Sequence, residues 1–305
     1  MTIDRVDTNG IKAGGTNVRR AAVAGQFYSD NPDQLQRDVM HYLQHNSQPH
    51  EFQQHALPVH GLQGHQLPPD DFDPIRAQDI KAIVVPHAGY IYSGSVAATA
   101  FNAITARKSQ IKRVILLGPS HRVPLSRIAL PNSNAFETPL GSVPLDVDIL
   151  QQLEKFPEVE VNALAHQFEH SLEVQLPFLQ TVLDNFQLVP LVVGHVSSDV
   201  VAKLLTPFIK SPENLIVISS DLSHFHPYGE AQAIDHHTSE LIEAKSYTLN
   251  GEQACGCNPL NGLLKLAADN HWTVATIDQC NSGDTAGNKD QVVGYGAYLV
   301  YQPST

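Results

Sequence analysis

From residue 80 onward, six short apolar and β-branched runs, "AIVVP", "RVILLGP", "LVPLVVG", "LIVISSD", "WTVATID" and "VVGYGAYLVY", alternate with stretches of helical period. A strand that stays apolar at nearly every position meets water on neither face, so such runs belong to a sheet covered on both sides. The covering layers lie between them in "GSVAATAFNAITA", "LDVDILQQLEKF", "HSLEVQLPFLQTVLDNF", "SDVVAKLLTPFIK" and "NPLNGLLKLAADN". This alternation predicts an α/β fold, with one layered α/β/α domain over residues 1–305 around a mostly parallel or mixed sheet. Upstream, "DNPDQLQRDVMHYLQHN" places Leu35, Val39 and Leu43 on one face behind Asp/Asn caps and Pro32, which predicts an amphipathic helix. Residues 1–17 are polar, and residues 46–79 are rich in Gln, His and Pro without apolar period, so the latter read as a loop or insertion. Histidines recur there at His45, His50, His55, His60 and His65, a spacing that follows neither a helix face nor a strand face.

Charge narrows the partners. With 19 basic and 31 acidic residues the net charge is −12, which opposes nucleic-acid phosphates and anionic membrane surfaces. No apolar run approaches the roughly 20 residues of a membrane helix, and the start lacks a signal-peptide apolar core. Three cysteines do not make a disulfide framework and point to a reducing compartment. The expected setting is therefore cytoplasmic, with a small molecule or short peptide as partner and the oligomeric state left open.

In open α/β sheets, ligands bind beyond the carboxyl ends of the strands, where helix N-termini and loops converge. Three predicted strands hand over to polar groups there: "AIVVP" to His87, "VILLGP" to Ser120 and His121, and "LIVISS" to Asp221 and His224. The loop "QACGCNP" adds Cys255 and Cys257 just ahead of a helix. Two imidazoles and a thiolate would form a three-ligand metal site with an open position, the catalytic arrangement. Such donors suit zinc, copper or iron and disfavour magnesium and calcium. Asp221 and His224 stand three apart, a spacing at which a carboxylate orients an imidazole for proton transfer. His170 and Glu173 share that spacing at a predicted helix start, where they either face one site or serve first-turn amides. Gly89 is expected to allow a tight turn that sets Tyr90 and Tyr92 in the pocket wall. His166, His226, His236 and His237 lack strand-end placement and are expected at the surface or behind the site, and Cys280 as a small buried thiol.

The motifs "RRAAVAGQFY", "VPHAGYIYSG", "LGPSHRVPLS", "EHSLEVQLPF", "ISSDLSHF", "ACGCNPL" and "NSGDTAG…VVGYGA" occur in the order found in the Memo-like family, whose bacterial and archaeal members are labelled AmmeMemoRadiSam system protein B. The resemblance runs from Val18 to Tyr301, and the His-rich tract departs from it. It implies a fold similar to class III extradiol ring-cleaving dioxygenases, which hold non-haem Fe(II) with two histidines and a carboxylate. By motif, His87 and His121 correspond to the two histidines, Cys255 takes the carboxylate position, and His224 stands at the acid/base histidine. Asp221, His170 and Glu173 fall at further pocket positions. A thiolate softens the site and argues against classical catechol cleavage. The resemblance implies one transition-metal ion, iron or copper, with zinc compatible with the donors. The expected function is metal-dependent oxidoreductase chemistry on a small substrate or dioxygen. Its rivals are metal-assisted hydrolysis with His224 as base, and a ligand- or peptide-binding module using the same pocket.

Overall fold

The computed structural model describes residues 17–45 and 79–303. The predicted insertion, Asp79 excepted, and its histidine tract, His45 excepted, lie outside the described residues. The first described elements are strand β1 (Val18–Arg19) and helix α1 (Pro32–His45), which buries Leu35 and Val39 as its apolar period requires. Then follow β2 (Ile80–Val85), α2 (Tyr90–Ala103), β3 (Arg113–Pro119), β4 (Ile128–Leu130), β5 (Ala135–Thr138) and β6 (Gly141–Pro144). The middle of the chain supplies α3 (Val147–Leu153), β7 (Val159–Val161), α4 (Ala163–Gln167), α5 (Leu176–Val182), β8 (Gln187–Val193) and α6 (Ser198–Leu205). The rest is β9 (Asn214–Ser219), β10 (His224–His226), α7 (Tyr228–Glu243), α8 (Cys257–Asp269), β11 (Thr273–Asn281) and β12 (Val292–Tyr301).

The fold is α/β, and its main sheet is mixed. Strands β2, β9, β3 and β8 lie side by side and parallel, while β12 runs antiparallel to β2 and to β11, and β4 antiparallel to β8. Their all-apolar text is explained by burial on both faces: Ile83, Ile115, Leu116, Leu117, Val189 and Val217 are fully buried. Each such side chain contributes about 1.5–3 kcal/mol. A separate small sheet joins β1, β5 and β6. Among the described residues no helix is long and apolar enough to cross a membrane.

Two departures from the expected pattern have local causes. The stretch "HSLEVQLPFLQTVLDNF" divides into a 3-10 turn at Glu173–Gln175 and α5, which starts with Pro177 in its first turn, where a missing amide hydrogen is harmless. Helix α7 was not predicted, because the face it buries consists of Ala231, Asp235, Thr238, Ser239 and Ile242. Small and polar residues there leave no apolar period to read.

Register decides where the chemistry goes. Val85 of β2 pairs with Ser219 of β9, and Leu117 of β3 with Ile218, so the carboxyl ends of three parallel strands finish at one edge. The turns that leave that edge carry His87, His121 and Asp221. The fourth component arrives with α8. A Cβ on Gly256 would stand 2.7 Å from the Ser219 carbonyl oxygen, so only glycine lets the Cys255 loop approach β9 this closely. Gly89, by contrast, has φ −58° and ordinary space around it, so the turn after β2 does not depend on it.

Candidate metal centre

His87, His121 and His170 each turn a ring nitrogen toward a common space, with these atoms all within 4.8 Å of one another. The rings of His121 and His170 stack at 4.6 Å, and His87 stands edge-on to both, at 5.1 and 5.4 Å. The side-chain exposures, 2% for His87, 15% for His170 and 28% for His121, show a cluster that is closed at its base and reached from the His121 side.

Hydrogen bonding fixes which nitrogens carry protons. The Ser219 hydroxyl has one hydrogen and donates it to the Ser171 carbonyl at 2.6 Å. It therefore accepts at His87 Nδ1, 2.9 Å away, and from Gln175 Nε2 at 2.9 Å. His87 thus carries its proton on Nδ1 and leaves Nε2 as a bare lone pair. Burial, together with the His121, His170 and His224 imidazoles around it, pushes His87 well below the ordinary histidine range and keeps it neutral. His121 is set the same way: Nδ1 donates to Glu169 Oε1 at 2.9 Å, and its backbone amide donates to Oε2 at 2.6 Å. Burial alone would raise the Glu169 carboxyl, but the His121 hydrogen bond and charge and the amides of Ser171 and His121 outweigh it and hold it at about 2.

His170 differs. Its Nδ1 lies 3.5 Å from Glu169 Oε1, and among the described residues this buried nitrogen makes no hydrogen bond. Burial first, then the neighbouring His121, lowers the group to about 4. An unpaired ring nitrogen costs about 1–3 kcal/mol unless something fills the space it faces. Phe27 packs on the ring from the other side, 4.7 Å between centroids.

Cys255 joins at the base. Its Sγ is 3.2 Å from His87 Nε2 and accepts the Asp221 amide at 3.3 Å. Burial and the Asp221 charge push the thiol up, so in the absence of a cation it stays protonated and donates to the bare Nε2. Two ligands on one tetrahedral ion stand about 3.5 Å apart, close to the Sγ–Nε2 separation seen. Three imidazoles offering ring nitrogens to one space, with a thiol beside His87, fit a transition metal and would serve a hard cation poorly.

The other expected residues are placed as follows. Asp221 is buried and accepts the His87 amide at 2.7 Å, with Oδ2 4.0 Å from His87 Nε2; burial raises it to about 6 against the pull of that amide. It does not orient His224, whose Nδ1 donates to the Leu222 carbonyl at 2.9 Å and so presents Nε2 as the acceptor. Ser120 donates to the Val123 carbonyl within its own turn. Tyr90 is 6% exposed and gives its hydroxyl to the Val174 carbonyl, among Tyr28, Tyr42 and Phe178, so it belongs to the core. Tyr92 is half-buried next to the same turn. Glu173 points away from His170: it is wholly buried, ion-paired with Arg19, and accepts the amides of Ala22 and Val23 and the Tyr28 hydroxyl. Cys257 and Cys280 are buried free thiols. His226, His236 and His237 pair with Glu230 and Glu240 at the surface, whereas His166, expected at the surface or behind the site, is fully inside.

Sequence reasoning missed Glu169 and Ser219. Their signal was present, a carboxylate beside His170 and a hydroxyl at the end of β9, but only the folded chain shows that they serve His121 and His87. Glu169→Gln places an amide group against hydrogens now held by carboxylate oxygens. Affinity for Co2+ should fall about 10–100-fold while the far-ultraviolet circular dichroism stays unchanged. Loss of less than about threefold in a competition titration would assign Glu169 no part in holding the ligands.

The description "Memo-like protein" is carried by the family model that matches residues 19–299. A MEMO1 family protein of Saccharolobus islandicus is 35% identical over 298 residues, covering 91% of this chain and 97% of that protein. MEMO1 family proteins of Saccharolobus solfataricus and Sulfolobus acidocaldarius are each 33% identical, with the same coverage. Among solved structures, that of uncharacterized protein JW3007 from Escherichia coli K12 aligns with a TM-score of 0.45 and 12% identity, covering 71% of this chain and 99% of that one.

Proposed function

This chain belongs to the Memo-like family, and from that premise we propose that it holds one iron or copper ion and acts as an oxidoreductase on a small substrate or dioxygen. His87, His121 and Cys255 are the proposed ligands, with His170 supplying a further imidazole at the same space. The observation that carries the reading is that His87, His121 and His170 each bring a ring nitrogen to one space, with Cys255 Sγ 3.2 Å from His87 Nε2.

A bound ion of this kind supplies Lewis acidity and one-electron chemistry. The chain's own part follows from its hydrogen bonds. His224, held by the Leu222 carbonyl, keeps Nε2 free to take a proton from a substrate and return it. Asp221 lies under His87 and lends negative charge that favours a cation above it. Entry is from the His121 side, where the imidazole is part-exposed. Loading displaces the Cys255 proton, so binding should be accompanied by proton release.

The test is elemental analysis of untagged protein purified without chelating resin, alongside oxygen uptake with a reductant and with catechols. Wild type should retain iron or copper and consume oxygen, and Cys255→Ser should retain at least about tenfold less metal. Metal retention with hydrolysis and no oxygen uptake would replace this reading by metal-assisted hydrolysis. Equal metal in both proteins would remove Cys255 from the site.

A further inference from the structure

A groove of about 460 Å3 lies between β1, the loop after β4 and helix α4, and none of the three clustered imidazoles lines it. Its lining includes Val18, Arg20, Ser133, His166 and Phe168. Three features of that lining are unused by the fold. His166, 2% exposed, sets Nε2 2.9 Å from the Ala129 carbonyl oxygen, which only accepts. The proton is therefore on Nε2; burial lowers the ring to about 4, so it is neutral and Nδ1 is a lone pair. That Nδ1 and the hydroxyl of Ser133, 3% exposed, are both buried without a hydrogen-bond partner. A buried polar atom without a partner is destabilising, and two such atoms on residues of one groove wall ask for a ligand.

The second feature is charge. Arg20 is exposed and makes no ion pair or hydrogen bond through its side chain among the described residues. Its neighbour Arg19 is wholly engaged by Glu173 and the carbonyls of His166 and Glu169. In a chain of net charge −12, a free guanidinium at the rim is a local attraction for an anion that the whole molecule repels. The third is apolar: Phe168 is 58% exposed and Val18 37%, on the same groove.

We propose that this groove is a second ligand site, for a small hydroxy acid with an aromatic or branched apolar tail. The carboxylate pairs with Arg20 in the fork geometry that guanidinium offers. The hydroxyl donates to His166 Nδ1, Ser133 donates to the ligand's oxygens, and the tail covers Phe168 and Val18. Both buried atoms are closed to water in the empty groove, so the wall yields slightly on binding, an adjustment of the size side chains ordinarily make.

The probes are 3-phenyllactate and 2-hydroxyisocaproate, titrated into the full chain by calorimetry and by nitrogen-15 spectra of the imidazoles. Both should bind saturably, and the His166 Nδ1 resonance should move with occupancy. Removing the hydroxyl (3-phenylpropionate) or substituting Arg20→Gln should weaken binding about tenfold or more, and Ser133→Ala by less. Neither side chain makes a hydrogen bond or ion pair among the described residues, so both variants should fold and remain informative. His87→Ala/His121→Ala should bind the probes as wild type does, which separates this site from the metal centre. Absence of saturable binding by both acids, equal affinity in Arg20→Gln, or loss of binding in the double-histidine variant would each overturn the proposal.

Discussion

Replacing His87 and His121 together by alanine should abolish metal retention while leaving the chain folded. Structural zinc sites bind with apparent energies of about 10–16 kcal/mol from four ligands, so two ligands account for about 5–8 kcal/mol, or an affinity lower by about 10⁴- to 10⁶-fold. The fold should survive because the anchoring bond from this turn to Asp221 is made by the backbone amide of residue 87, not its ring. Ser219 would lose one donor and keep Gln175. The measurement is a competition titration with Co2+, with circular dichroism as the control for folding. Wild-type affinity in the double variant would sink the metal centre placed at these residues.

Glu173→Ala should cost about 3–5 kcal/mol, the usual range for stripping the partner from a buried ion pair. Arg19, 7% exposed, would be left with two carbonyls and no counter-charge, and Tyr28 and the amides of Ala22 and Val23 would lose their acceptor together. The effect should be local as well as global. Four groups of residues 19–28 (the Arg19 guanidinium, the Ala22 and Val23 amides and the Tyr28 hydroxyl) meet on this carboxylate, and Phe27 of that segment packs on His170. Denaturant midpoints should record the loss, and hydrogen exchange should show the Ala22 and Val23 amides opening first. A change below about 1 kcal/mol would mean that the segment is held elsewhere.

These three residues mark how far the sequence could be read. The apolar runs identified the covered α/β sheet because burial on both faces leaves no other composition for a strand. The ends of those runs also pointed to His87, His121, Asp221 and His224, since parallel strands deliver their carboxyl ends to one edge. Glu173, however, looks in sequence like His170's partner at a helix start. The chain instead forms a 3-10 turn there, and a turn of different pitch sends the two side chains to different neighbours. Tyr90 follows the same logic: placed beside His87 in the text, it faces the core because α2 begins at that residue. Helix α7 hid for the opposite reason, having a buried face with almost no apolar side chains.

What the sequence determined by itself was the class of fold and the sheet edge at which His87, His121 and Asp221 stand, because both follow from local periodicity and strand direction. What only the tertiary structure decided was which nitrogen of each imidazole is free, which carboxylate serves which histidine, and that Cys255 meets His87. Those depend on hydrogen bonds between residues 48 to 168 positions apart, and a proton on Nδ1 or Nε2 leaves no trace in the order of residues.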